Sequence, residues 1–182
     1  MKHLKYLFVV LIFALLTLPN NTSAQQITLG GELSLNLPTG DFGDAYGTGF
    51  GLTGVFTYRL NPNLAFTGSL GYISFGEKFS GLSFSTVPIN AGIQYRITPT
   101  GNFQPYIGAE TLVFMSTASV ESGFFGKVSS SSTDFSFTPL VGAAFPINNN
   151  LEIRANLKYH ILFTSGSSTT FLGIGGGVHF KI

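Results

Sequence analysis

Leu151-Glu152-Ile153-Arg154-Ala155-Asn156-Leu157-Lys158-Tyr159-His160-Ile161-Leu162-Phe163 alternates almost without a break. Every odd position is apolar, and the even positions run Glu, Arg, Asn, Lys, His and Leu. Successive side chains of a strand point to opposite faces, so this segment has one apolar and one charged face. A helix would scatter the same seven apolar residues around its circumference.

The same period of two extends outward along the chain. Ile27, Leu29, Leu33, Leu35 and Leu37 alternate with Thr28, Gly30, Glu32, Ser34 and Asn36. Gly49–Leu60, Leu64–Phe75, Phe84–Ile97, Phe103–Met115, Asp134–Ile147 and Thr170–Ile182 read alike. The result is eight antiparallel up-and-down strands of about the 9–11 residues that a tilted membrane-spanning strand requires. The fifth is the least regular, because Leu112 and Phe114 share parity with Glu110. Pro88, Pro105, Pro139 and Pro146 are expected near strand ends, where a lost ladder donor is tolerated.

The connections alternate in length. Asn61-Pro62-Asn63, 98–102 and Asn148-Asn149-Asn150 are tight and rich in turn formers. Pro38–Thr48, Gly76–Ser83, Ser116–Thr133 and Ser165–Thr169 read as the opposing loops, mostly longer.

Alternation alone also fits a soluble barrel with an apolar interior. Three observations place the apolar face outside, against lipid. Glu32, Arg59, Arg96, Glu110, Glu152, Arg154, Lys158 and Lys181 all fall on the polar parity, whose other members are mostly small. Such a face suits a crowded interior better than a water-facing surface. Tyr58 and Tyr95 flank the short turns while Tyr72 and Tyr159 lie toward the loops, as amphipathic rings do at two water interfaces. The chain also stops on Val178, Phe180 and Ile182, alternating on one face. Charged residues make up 9% of the 182, against about 25% in an average soluble domain.

The N-terminus has the three parts of a secretory signal. Lys2 and Lys5 precede the apolar run Leu7–Leu18, and Thr22-Ser23-Ala24 offers small residues for cleavage before Gln25. Residues 1–24 are therefore expected to be a cleaved signal peptide and 25–182 the barrel domain. Without Lys2 and Lys5, seven bases face eight acids, a net charge of −1. No basic patch points to nucleic acid. The chain has no cysteine, which excludes disulfides, thiol chemistry and thiolate metal sites.

Leu37-Pro38-Thr39-Gly40-Asp41-Phe42-Gly43-Asp44, Pro105-Tyr106-Ile107-Gly108-Ala109 and the apolar final strand give the chain a family resemblance. It resembles the small outer-membrane β-barrels that include the OmpA transmembrane domain, OmpX and OmpW. The resemblance covers residues 25–182 and implies an outer-membrane location in a Gram-negative bacterium. It further implies periplasmic turns, extracellular loops, and contact with membrane lipid and lipopolysaccharide. Phe180 and Ile182 resemble the terminal signal read by the barrel assembly machinery, which often ends in Phe where this chain has Ile.

Candidate sites are few. Gly49-Phe50-Gly51-Leu52-Thr53-Gly54 fits GxGxxG, but a strand follows where a dinucleotide site needs a helix. Gly173, Gly175 and Gly177 share the inward parity and are expected to make room for bulky lumenal neighbours. His160 and His179 fall near opposite ends of the barrel, too far apart for one zinc site, and Asp41 and Asp44 lack the spacing of a calcium loop. No metal or cofactor is expected. Glu32, Glu110, Arg154 and Lys158 point inward near mid-barrel, and buried charges must pair; a salt-bridged lumenal plug is the expectation. Phe124 and Phe125, in the longest loop, are the candidate contact site.

A non-enzymatic barrel with a role in envelope structure or surface binding is the leading reading. A narrow conduit for small apolar solutes, through an upper lumen lined by Leu112, Phe114 and Leu162, is the second. A lipid-modifying enzyme, which needs a serine within reach of His160 or His179, is the last.

Overall fold

A computed structural model describes residues 26–78, 82–122, 126–164 and 167–182. The expected signal peptide, together with Phe124 and Phe125, lies outside the described residues.

Eight strands follow one another: β1 (Gln26–Thr39), β2 (Tyr46–Arg59), β3 (Leu64–Glu77), β4 (Leu82–Arg96), β5 (Gln104–Ser122), β6 (Gly126–Pro146), β7 (Leu151–Thr164) and β8 (Ser167–Lys181). A single helical turn, α1 (Asp41–Ala45), separates β1 from β2. Gly40 takes φ 59° before it, a left-handed backbone that suits glycine. Each strand pairs antiparallel with the next, and β8 pairs with β1 from Thr28↔Lys181 to Thr39↔Thr170. The barrel is closed and has no edge around its circumference.

Two of the three short turns owe their shape to asparagine. Asn61 Oδ1 accepts the backbone N–H groups of Asn63 and Leu64 at 2.9 and 2.8 Å. Asn148 Oδ1 accepts that of Asn150 at 2.9 Å. Both side chains stand in for a turn carbonyl.

Burial is inverted relative to a soluble protein. Leu33, Phe50, Leu52 and Leu70 are exposed, whereas Glu110, Glu152, Arg154 and His179 are no more than 2% exposed. Charged side chains are almost never buried in a water-facing fold unless paired, so the lumen is the polar face and the outside is the lipid face.

The structure corrects three expectations. Most of Ser116–Thr133 is strand: pairing continues from Ser116↔Ser132 to Ser122↔Gly126, giving a β5 of 19 residues. Thr117 and Ser119 meet Ser131 and Ser129 hydroxyl to hydroxyl at 3.2 and 2.9 Å, cross-strand bonds that a turn-like composition conceals. β8 likewise begins at Ser167 rather than Thr170, with Thr164 opposite Ser167.

The prolines are the second correction. Pro88 and Pro139 lie well inside β4 and β6 rather than near their ends. The β3–β4 pairing skips from Leu70↔Ile89 to Ile73↔Thr86, and the β6–β7 pairing skips from Phe137↔Ile161 to Leu140↔Lys158. Each gap surrounds a proline, which has no N–H to donate.

Leu112 is the third. It stands opposite Asn90 and Ser136, both buried, yet it is 40% exposed with φ 157°. The backbone rotates there and turns the leucine out of the lumen.

Leu70→Arg, on the lipid face near mid-strand, is expected to lower stability by about 2–4 kcal/mol, the cost of a cation near the bilayer midplane. Urea unfolding in lipid vesicles measures it.

Candidate functional site, the barrel lumen

The inward residues of β7 traverse the lumen from the turn end to the loop end: Glu152, Arg154, Asn156, Lys158, His160 and Leu162. Facing them on β8 are glycines, with Arg154↔Gly177, Asn156↔Gly175 and Lys158↔Gly173. The same glycines face Glu32, Ser34 and Asn36 of β1. A Cβ at Gly177 would run into the Gly31 carbonyl oxygen, and one at Gly175 would stand 2.9 Å from Asn156 Oδ1. Long polar side chains cross the middle of the lumen because β8 carries no side chain at these three positions.

At the turn end, ionic contacts centre on Glu152. Its Oε1 lies 2.9 Å from Arg96 Nη2 and 2.6 Å from Arg154 Nη2. Its Oε2 accepts from Arg96 at 3.1 Å and lies 3.9 Å from Lys181 Nζ. Arg96 also donates to Gln104 Oε1, and Arg154 Nη1 to Thr57 Oγ1 at 3.1 Å.

The middle layer centres on Lys158. Its ammonium donates to both oxygens of Glu110 at 3.2 Å and lies 3.9 Å from Glu32 Oε2. Glu32 also accepts from Asn156 at 3.0 Å and contacts His179 Nε2 at 3.1 Å. Of the four expected cluster residues, Glu32, Glu110 and Lys158 come together while Arg154 pairs one layer lower. Its partner Glu152, and Arg96 beside that, were visible only as lumen-parity charges near turns. Their cross-strand meeting depends on register and barrel stagger.

The loop end is apolar. Ile73, Phe75, Phe114, Leu162 and Phe171 form a buried cluster with Phe42, Tyr46 and Phe84 packed against it. Phe42, on α1, sets its ring 5.1 Å from both Phe75 and Phe84. Phe114 and Leu162 are thus lumenal, while Leu112 is not. His160 stacks on Phe171 at 4.4 Å and bonds Thr138 Oγ1 at 3.1 Å. Between the middle layer and the apolar cluster lies a cavity of about 20 Å³, lined in part by Glu32, Asn36, Asn90 and Lys158. That is room for roughly one water. Among the described residues no three His, Asp or Glu side chains gather as metal ligands. The GxGxxG segment lies within β2.

A closed eight-stranded antiparallel barrel with lipid-compatible walls and an ionic interior defines a transmembrane barrel of the outer-membrane type. The chain belongs to the outer membrane protein beta-barrel domain family, whose model matches residues 8–180, and its place is the cell outer membrane. Among solved structures it is similar to Neisserial surface protein A, at 20% identity and a TM-score of 0.68, covering 86% of this chain and 97% of that one. It is also similar to Ail, the attachment invasion locus protein of Yersinia pestis, at 18% identity and a TM-score of 0.58, covering 87% and 97%. A third is OprG of Pseudomonas aeruginosa, at 14% identity and a TM-score of 0.54, covering 87% and 96%. At these identities the likeness is one of fold. No curated protein matches the chain.

Glu152→Gln removes the carboxylate that, among the described residues, contacts Arg96, Arg154 and Lys181. The expected loss is about 3–5 kcal/mol, the cost of breaking a buried pair from one side. Chemical denaturation of the folded barrel in detergent reads it.

Proposed function

We propose that the chain is a non-enzymatic barrel whose lumen is plugged and whose function lies at the cell surface, in binding or envelope structure. The observation that carries this reading is the filling of the lumen at three levels, with Glu152 and its cations, Lys158 and its acids, and the aromatic cluster around Phe42. An interior wide enough only for side chains, and filled by them, leaves a solute little path.

The other half of the reading is the β5–β6 hairpin. A 19-residue strand spans roughly 65 Å. Tilted by about 40°, it rises roughly 50 Å, about twice the height of a barrel's apolar band. We place this end outside the cell and the asparagine turns in the periplasm, the usual orientation of such barrels. The outer wall then meets membrane lipid and lipopolysaccharide, and exposed Val178, Phe180 and Ile182 are offered to the assembly machinery.

One neighbour is Ail bound to the heparin analogue sucrose octasulfate. That ligand is not carried over. At the loop end this chain has Asp41, Asp44, Glu77, Glu121 and Asp134 against Lys78 and Lys127, the wrong sign for a polysulfate. The conduit reading has less support, since Leu112 leaves the lumen and Phe114 and Leu162 pack into the cap. The enzyme reading has least, since the hydrogen bonds seen at His160 and His179 go to Thr138 and Glu32 rather than to a serine.

Planar-bilayer recording of the purified barrel is expected to show no steady conductance steps. Cells displaying it should adhere to surfaces more than cells carrying a version with residues 118–130 deleted. Sustained conductance with unaltered adhesion would replace this reading with the conduit.

A further inference from the structure

We propose that the turn end of the lumen binds a phosphate-type oxyanion through Arg59, with Lys181 as the second cation. Four cationic side chains, Arg59, Arg96, Arg154 and Lys181, gather in the electrostatic field of one carboxylate, Glu152. Both oxygens of that carboxylate are already engaged: Oε1 by Arg96 and Arg154, Oε2 by Arg96 and Lys181. Two neutral acceptors are engaged as well, Gln104 Oε1 by Arg96 and Thr57 Oγ1 by Arg154, while the buried Thr28 and Thr67 hydroxyls on the adjacent strands have no partner and carry no charge.

Arg59 is left over. It is the last residue of β2 and 8% exposed, and its Nε and Nη2 are buried with no hydrogen-bond acceptor. Arg59 therefore has no carboxylate of its own, and four cations against one acid leave an excess of three positive charges that a neutral hydroxyl does not offset. A buried unpaired cation is costly. The partner that repairs both deficits is a compact anion with paired oxygens, to which a guanidinium donates bidentately. Lys181 is less buried than the arginines and lies toward the mouth, where it supplies a point charge to the same anion. The middle layer does not share this surplus, since its two acids outnumber Lys158. The turn end, placed in the periplasm by the proposed topology, meets two sources of this chemistry: free phosphate and the headgroup of an inner-leaflet phospholipid.

The test uses the full barrel purified in a neutral maltoside detergent. Inorganic phosphate is titrated calorimetrically at constant ionic strength, and bound phospholipid is read by native mass spectrometry of the same preparation. Saturable binding of one phosphate per barrel, weakened about ten-fold or more in Arg59→Gln, supports the site with free phosphate as ligand. A phospholipid retained by the wild type and lost from Arg59→Gln supports the headgroup. Neither ligand bound, or binding undiminished by the substitution, overturns the proposal. If Arg59→Gln does not yield a folded barrel, Lys181→Gln at the rim is measured in its place against the same outcomes. A conducting barrel would defeat the surface reading and leave this site standing.

Discussion

Hydrocarbon offers no hydrogen-bond partner to a peptide group, so each N–H and C=O of a spanning strand must be met by a neighbouring strand. The pairing of β8 with β1 over Thr28↔Lys181 to Thr39↔Thr170 meets that demand, because it leaves no strand at an edge within the membrane. Everything else is arranged under this closure. With the ladder fixed, parity decides which side chains meet lipid. The charges of the spanning strands then have one place to go. Within the spanning strands the ladder skips at Pro88 and Pro139, and near the loop end the β2–β3 register shifts between Tyr46 and Gly49.

Confining the charges creates a second demand, since buried ions must find partners. β7 and β8 meet it jointly. One supplies Glu152, Arg154, Asn156 and Lys158, and the other supplies the Gly177, Gly175 and Gly173 that let those side chains lie across the lumen. The charge is not evenly spread. Cations exceed acids where the turns are, acids exceed cations among the loops, and an aromatic cluster separates the loops from the ionic layers. A molecule approaching from one side meets a different field from one approaching from the other, which fits a barrel that presents two surfaces better than one that joins them.

The fold was legible in the sequence because Leu151–Phe163 writes its two faces residue by residue, and Ile27–Leu37 repeats them. The extension of β5 and β6 was not, because a run such as Ser129-Ser130-Ser131-Ser132 has turn-like composition until a partner strand supplies hydroxyls at the matching register. Leu112 deceived for a related reason: parity assumes an even backbone, and the chain rotates there. Of the lumenal cluster, Lys158 with Glu110 and Glu32 could be anticipated from height and parity alone. The pairing of Arg154 with Glu152, two positions apart on one strand, needed the side chain's direction. Arg96 reaching Glu152 across the lumen needed the barrel's stagger. The packing of Phe42 into the mouth required the helical turn α1, which the Gly- and Asp-rich segment did not announce.

The inversion of faces is tested most directly on the segment that first suggested it. Because the protein has no cysteine, single cysteines placed in turn from Glu152 to Leu162 carry a fluorophore into the barrel reconstituted in brominated-lipid vesicles. The account predicts quenching that alternates, strong at 153, 155, 157, 159 and 161 and weak at the even positions between them. Strong quenching at the even positions, or none at either set, would contradict it.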